Sequence, residues 1–488
     1  VEPHLQPSYP LSASEPALAM ATPSPEASPQ AVPESPLAHL GIPQGVLPDS
    51  FRLAPNGEAT LGGVSLETLA NSYGTPLYVL DGDTIRNQAR QYVDNLKKHY
   101  PGSALVVFAA KANLSLGLCR LLEQEGLGLD VVSGGELYTA IQAGFPMDRV
   151  IFNGNNKSRD ELEMAIYHQV GRIVVDNEYE LGLIHEIASR KQARVNVLLR
   201  IAPGIECHTH DYLKTATEDN KFGFHLAMLG PMLERCLTLY PETITVRGLH
   251  THIGSQIFEL AAYEDLIEIL LNIYYNIRDA FKLTLDELDM GGGLGIMYTG
   301  KDDPPSIDAL IQRASSRLQE YARRINFPLP KLYLEPGRSL VATAGTTLYT
   351  VGSQKRVPNG RTFIAVDGGM GDNIRPALYQ AEYSAVVINK LYTPPSEWVT
   401  LVGKYCESGD VLIRNFAAPP LEAGDRILVF GTGAYNYTMS SNYNRIPRPA
   451  MVLVGNGSAS LLVRRESYDD ILARDVIPAP LARADYGS

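Results

Sequence analysis

From residue 84 to 340 the chain alternates between short apolar runs rich in Val, Ile and Leu and longer stretches whose apolar positions recur with the period of an amphipathic helix. The apolar runs read LVVFAAK, LDVVS, VIFNG, IVVDN, VNVLLRI, VRGLHTHIG, ELDMGGG and KLYLEPG. The first four follow one another at about 20 to 24 residues, the length of one strand-helix unit. Eight such units in succession predict a (β/α)8 barrel. A doubly wound open sheet is the alternative, but the GxGxxG turn that usually follows its first strand is missing.

After about residue 340 the helical period fades. Short β-rich pieces take over, TTLYTVGSQK, TFIAVDGG, SAVVIN, DVLI, DRILVFG and AMVLVG, punctuated by Gly, Pro and Asn. They predict an all-β barrel or sandwich. Residues 49–83 carry strand-like pieces, TLGGVSL and LYVL, that can join it, because the ends of a chain often lie close together. Residues 1–48 are rich in Pro, Ser, Ala and Glu, as in TPSPEASPQAVPESP, and predict a disordered tail. The expected organisation is a tail over 1–48, a barrel over 84–340, and a β domain from 49–83 plus 341–488.

Composition narrows the function classes. The chain has 488 residues, 45% hydrophobic and 20% charged, ordinary values for a globular protein. No stretch is long and apolar enough for a membrane helix. A net charge of −12 argues against nucleic acid as a partner. Cys119, Cys207, Cys236 and Cys406 are scattered without a CxxC pair, which suits free thiols in a reducing, cytoplasmic compartment. The first residues show no basic-then-apolar signal pattern. The chain opens on Val1 rather than Met, which leaves the true N-terminus open.

The candidate chemistry sits at the ends of the predicted strands, where barrel enzymes hold their active sites. Those ends carry Lys111, Asp130, Asn153, Asp176, Arg200, His252, Asp289 followed by three glycines, and Glu335 followed by Pro-Gly-Arg. Lys111 closes a strongly apolar run. It is either a lysine snorkelling into water or a nucleophile activated by its surroundings. The glycines at 291–293 and the loop Glu335–Arg338 suit an anion cradle of backbone N–H groups, with Ser255 as a further donor. A nucleophilic lysine and a phosphate cradle in one barrel mouth suggest pyridoxal phosphate, with Glu335 as the acid partner of its ring nitrogen and His252 against the ring. A metal site built on His208, His210, His250 and His252 with Cys207, Asp289 or Glu335 is the rival; it leaves Lys111 and the glycine loops unexplained. In the β region, Cys406 stands between polar residues beside Glu407, as a thiol that could deliver a proton. Arg338 and Arg375 can grip a carboxylate. Tyr379 lies four residues past Arg375, and Tyr435 follows a strand-like run.

The stretches FAAKAN, LDVVSGGEL, FNGNNKS, HTHIGSQ, DMGGGLG, EPGRSLVA, DGGMGDNIRPALY, CESGD and GAYNYTMSSNYN, in this order, resemble the fold-type III pyridoxal-phosphate decarboxylases over residues 50 to 480. The resemblance implies that Lys111 carries the cofactor covalently and that His252 stacks on its ring. It implies that Asp130, Ser255, Gly293, Glu335, Gly337, Arg338 and Tyr435 hold the cofactor. Arg338, Arg375, Tyr379, Glu407 and Tyr435 would hold the substrate, and Cys406 would donate a proton. It further implies a homodimer whose Cys406–Glu407 segment reaches into the partner's barrel. A distal amino-acid end, matched by two arginines and Glu407, favours diaminopimelate over ornithine or arginine; a decarboxylase of carboxynorspermidine, arginine or ornithine, or a non-catalytic pyridoxal-phosphate carrier, are the alternatives. The chain departs from the family at Phe108, where a Tyr usually begins the lysine motif. Residues 301–305 (KDDPP) match nothing in the family pattern and carry no expected function.

Overall fold

The computed structural model describes residues 34–203 and 221–481. Eight parallel strands close into a barrel: β1 (Ala104–Ala109), β2 (Gly128–Val131), β3 (Val150–Phe152), β4 (Arg172–Val175), β5 (Val195–Arg200), β6 (Ile244–His250), β7 (Glu287–Asp289) and β8 (Lys331–Leu334). Each pairs with its successor, and β8 closes on β1 with Leu332 opposite Ala104 and Leu334 opposite Val106. Val107, Ile151, Val174, Leu198 and Tyr333 point inward and form a small cluster of their own. Alternate residues such as Phe108, Leu129, Phe152 and Ile173 pack outward with the helices. Both faces of every strand are therefore covered, which is why these runs are continuously apolar rather than alternating.

The helices that follow the early strands begin on side-chain caps. Ser115, Ser133, Ser158 and Asn177 each accept from the backbone N–H three residues on, and Ser158 with Glu161 makes a capping box. These caps fix the short turns that hold the strand-end residues at one rim. Beside them lies a buried ion pair. The Lys157 ammonium donates to Glu180 at 2.7 Å and to the carbonyls of Gly154 and Val174 at 2.8 and 2.7 Å. Removing one partner would strand the other charge away from water. Glu180→Ala is expected to lower stability by about 3–5 kcal/mol, read as a shift of the denaturant midpoint.

The region after the barrel is β-rich as expected. A long strand, β9 (Gly345–Arg356), runs antiparallel to Arg426–Phe430 on one side and to Leu77–Asp81 on the other. Leu77–Asp81 also pairs parallel with Ala450–Gly455. A strand before the barrel is thus laced into the centre of a nine-stranded mixed sheet formed largely after it. The TLGGVSL piece does not join that sheet; with Arg52–Leu53 it makes a separate three-stranded sheet.

The tail boundary at 48 needs correction. Leu37, Ile42, Val46 and Leu47 are buried in one cluster with Phe51, Leu77, Leu348 and Phe430. The Pro/Ser-rich residues before them dominate the local composition and hide this apolar spacing. Each buried aliphatic side chain here contributes about 1.5–3 kcal/mol of burial free energy. From Ser35 onward the chain is one compact unit. Among the described residues no helix is long and apolar enough to cross a membrane.

Candidate active site

At the C-terminal rim of the barrel, β1 gives way at Ala110 to a 3-10 turn, Ala110–Ala112, that carries Lys111. The backbone here is pinned from the β region. The Tyr435 N–H donates to the Ala112 carbonyl at 2.8 Å, the Thr438 hydroxyl to the Lys111 carbonyl at 2.9 Å, and the Asn113 amide to the Gly433 carbonyl at 2.8 Å. The turn lifts the Lys111 side chain out of the strand, so the ammonium is exposed rather than sealed at a strand end. It lines a pocket whose other walls include Asp130, His252, Ser255, Gly293, Glu335, Gly337, Arg338 and Tyr435. Residues from five strand ends and from the β region therefore meet where the sequence places the cofactor.

The pocket floor is a buried acid cluster. Glu335 follows β8 and accepts from His250 Nε2 at 3.0 Å and from the Asn153 amide at 3.0 Å; the same amide reaches Asp130 at 2.7 Å. Burial pushes all three acids, Asp130, Asp289 and Glu335, toward the neutral form. They cannot all ionise side by side. Glu335 keeps the charge, because His250 and its other neighbours outweigh burial there and hold its carboxyl below the usual range. Burial and then the Glu335 charge drive Asp289 and Asp130 well above theirs. His250 is itself pushed down by burial, so a neutral ring donates through Nε2. His252 is likewise lowered by burial and then by Lys111, and its Nδ1 accepts from the Gly292 N–H at 3.3 Å. That bond sets the tautomer with the proton on Nε2.

The loops after β7 and β8 approach one another backbone to backbone. A Cβ at Gly292 would lie 2.1 Å from the Glu335 carbonyl oxygen. Gly293 has φ +116, a conformation open to glycine, and a Cβ there would meet the Gly254 carbonyl at 2.6 Å. Arg338 opens the next short helix, Arg338–Val341, and donates through Nη2 to Ser255 Oγ at 2.8 Å. Its Nε is buried and has no partner among the described residues.

Two residues that no sequence reading singled out hold the arginines, and like Arg375 they are not among the pocket's lining residues. Arg338 Nη1 donates to the Tyr298 hydroxyl at 2.6 Å, and Arg375 Nη1 to the Tyr383 hydroxyl at 2.6 Å. Tyr298 stands five residues past the glycines in LGIMYTG, and no spacing marks it. Arg375 and Tyr379 share the face of one short helix, Arg375–Tyr379. Cys406 and Glu407 are exposed and do not line this pocket. Cys406 is thus no packing cysteine. Its N–H is held by Asn444 Oδ1 at 2.7 Å, and its loop by the Asp410 carboxylate, which accepts from the N–H groups of Tyr405 and Met370 at 2.9 and 2.7 Å.

Of the metal alternative, Cys207, His208 and His210 lie outside the described residues. His250, Asp289 and Glu335 do bring donor atoms within 4.8 Å of one another. His250 Nε2 is already committed to Glu335, so this cluster reads as a hydrogen-bonded acid site.

Known proteins are similar to this chain in sequence and in fold. Residues 83–342 fit the pyridoxal binding domain of the pyridoxal-dependent decarboxylases. Diaminopimelate decarboxylase of Bacillus subtilis is 48% identical over 426 residues, covering 86% of this chain and 96% of that protein. The chain belongs to the diaminopimelate decarboxylase family. The Synechocystis member is 46% identical over 445 residues, 89% of this chain and 94% of that one. The crystal structure of the M. jannaschii diaminopimelate decarboxylase with L-lysine superposes with a TM-score of 0.83 at 33% identity, covering 89% of this chain and 99% of that chain.

Membership in the diaminopimelate decarboxylase family brings pyridoxal phosphate as cofactor, and the pocket fits it. Its floor holds one ionised carboxylate, Glu335, suited to a protonated ring nitrogen. Its rim holds the exposed primary amine of Lys111. Between them stand a glycine backbone, Ser255, and a buried guanidinium with an unused donor, all suited to an anion.

Proposed function

We propose that the chain decarboxylates meso-2,6-diaminopimelate to L-lysine and CO2, the last step of lysine biosynthesis. The observation that carries the substrate is the pair of buried guanidiniums beside the pocket. Among the described residues Arg338 and Arg375 bond only to neutral hydroxyls, Ser255, Tyr298 and Tyr383. Two buried cations without a carboxylate partner are a receptor awaiting an anion. The distal end of diaminopimelate keeps its carboxylate through the reaction; ornithine and arginine present only cations there and would call for carboxylates.

Bound pyridoxal phosphate supplies the electron sink for the pair released when CO2 leaves. The chain does the rest. Lys111 would hold the cofactor through its exposed primary amine. Glu335, kept ionised by His250 and Asn153, would keep a proton on the ring nitrogen, and His252 would hold the ring. Asp130 closes the floor in its neutral form. Ser255, Gly293, Gly337, Arg338 and Tyr435 take the phosphate. Arg338, Arg375, Tyr379, Tyr435 and Glu407 hold the distal end, and Cys406 returns a proton to the carbon that lost CO2. Cys406 and Glu407 would serve the pocket of a second copy in a homodimer, which accounts for their exposure within one chain. Scattered cysteines and the acidic surface suit a cytoplasmic enzyme.

A panel of meso-diaminopimelate, its L,L isomer, ornithine, arginine and lysine tests this reading, with CO2 measured. Release from the meso isomer is expected to exceed that from every other member by on the order of 10² or more. Comparable release from ornithine or arginine would overturn the substrate.

A further inference from the structure

The Tyr298 ring contacts two guanidiniums, that of Arg338, which lines the pocket, and that of Arg375, which is not among the lining residues. The Arg338 guanidinium lies 5.7 Å from its ring centroid and the Arg375 guanidinium 5.0 Å. Its hydroxyl takes a hydrogen bond from Arg338, and its ring meets Tyr383 edge-on at 5.4 Å. Two like charges are thereby held beside one neutral, electron-rich ring, each with donors to spare.

The ring is fixed from three sides. The N–H groups of Tyr298 and Thr299 both donate to Asp302 Oδ2 at 2.9 Å. The Tyr298 carbonyl accepts from Ser384 Oγ at 2.9 Å. Gly431, with φ +73, leaves room for the ring; a Cβ there would lie 3.0 Å from it. Asp302 belongs to the KDDPP stretch that matched no family pattern, so this unassigned loop holds the tyrosine in register.

We propose that Tyr298, anchored by Asp302, is the residue that positions Arg338 and Arg375 as one receptor for the distal carboxylate of the substrate. This rests on the substrate reading above. Tyr298 is a positioning and specificity-determining residue: it acts through the arginines. Its hydroxyl accepts from Arg338 Nη1 and so holds that guanidinium in place. The electrostatics agree. Burial raises the Tyr298 hydroxyl, but Arg338 and then Arg375 outweigh it and hold it below the usual tyrosine range.

The test compares native holoenzyme with Tyr298→Phe, which keeps the ring and removes the oxygen, and with Asp302→Asn, which weakens the anchor. KM and kcat for meso-diaminopimelate, inhibition by L-lysine and the absorbance of bound cofactor are measured. For Tyr298→Phe, KM and the L-lysine inhibition constant are expected to rise about tenfold, with kcat within about threefold of native and full cofactor absorbance. Asp302→Asn should move the same two constants in the same direction by less. L-lysine keeps the distal carboxylate, so both ligands must weaken together. An unchanged KM, a fall in kcat at constant KM, or loss of bound cofactor would each overturn the inference, the last by placing Tyr298 in the phosphate cradle. If the native enzyme releases no CO2 from meso-diaminopimelate, the substrate reading has failed; if it does and Tyr298→Phe behaves as native, the inference alone has failed.

Discussion

Lys111→Ala is expected to abolish turnover, a loss on the order of 10⁴ or more in kcat, with the absorbance of covalently held cofactor lost as well. The turn bearing Lys111 is held by its carbonyls, which accept from Tyr435 and Thr438, and by the Asn113 side-chain amide, which donates to Gly433, and not by the lysine side chain. That side chain is exposed, so removing it should leave the melting temperature within the small range of ordinary surface substitutions. Loss of function without loss of fold separates a reacting amine from a structural one. A variant that kept both the absorbance and CO2 release would end the reading of this pocket as the catalytic site.

Cys406→Ala should lower kcat by about 10² to 10⁴, the usual contribution of a positioned proton donor, while cofactor absorbance stays native. Cys406 is exposed and its loop is secured by Asp410 and Asn444, so the substitution removes a thiol and little else. Native turnover would remove the thiol from the mechanism. The same two variants test the shared site. An equal mixture of inactive Lys111→Ala and Cys406→Ala chains forms hybrid dimers, each with one site holding both groups. About a quarter of native activity should return when subunits exchange freely. Exchange is checked by mass spectrometry of the mixture; hybrids without activity would place Cys406 and Lys111 in the same chain's site.

Much of the site was legible in the sequence because barrel chemistry gathers at strand ends, and each strand end is marked by where an apolar run stops. Lys111, Asp130, His252, Gly293 and Glu335 were all found this way, and all five line one pocket. His250 was legible only as a possible ligand, because its role as a donor to Glu335 depends on a contact across 85 residues. Tyr298 and Tyr383 were not legible. Each is one of 26 tyrosines, in a loop without periodicity, and each matters only through an arginine, Arg338 forty residues from Tyr298 and Arg375 eight residues from Tyr383. Residues 35–48 were misread for the opposite reason. Composition averages over a window, whereas burial of Leu37 and Val46 depends on single positions meeting a cluster contributed by residues 51 to 454.

The sequence by itself determined the alternation of covered strands with capped helices, and with it the barrel, the residues at its rim and the family. Those are local properties: period, cap and run length are written in neighbouring residues. The tertiary structure alone decided which of three buried acids keeps its charge, how a strand before the barrel comes to lie in the sheet after it, and that one tyrosine contacts two arginines. These depend on distance through space and on exclusion of water, and chain order records neither.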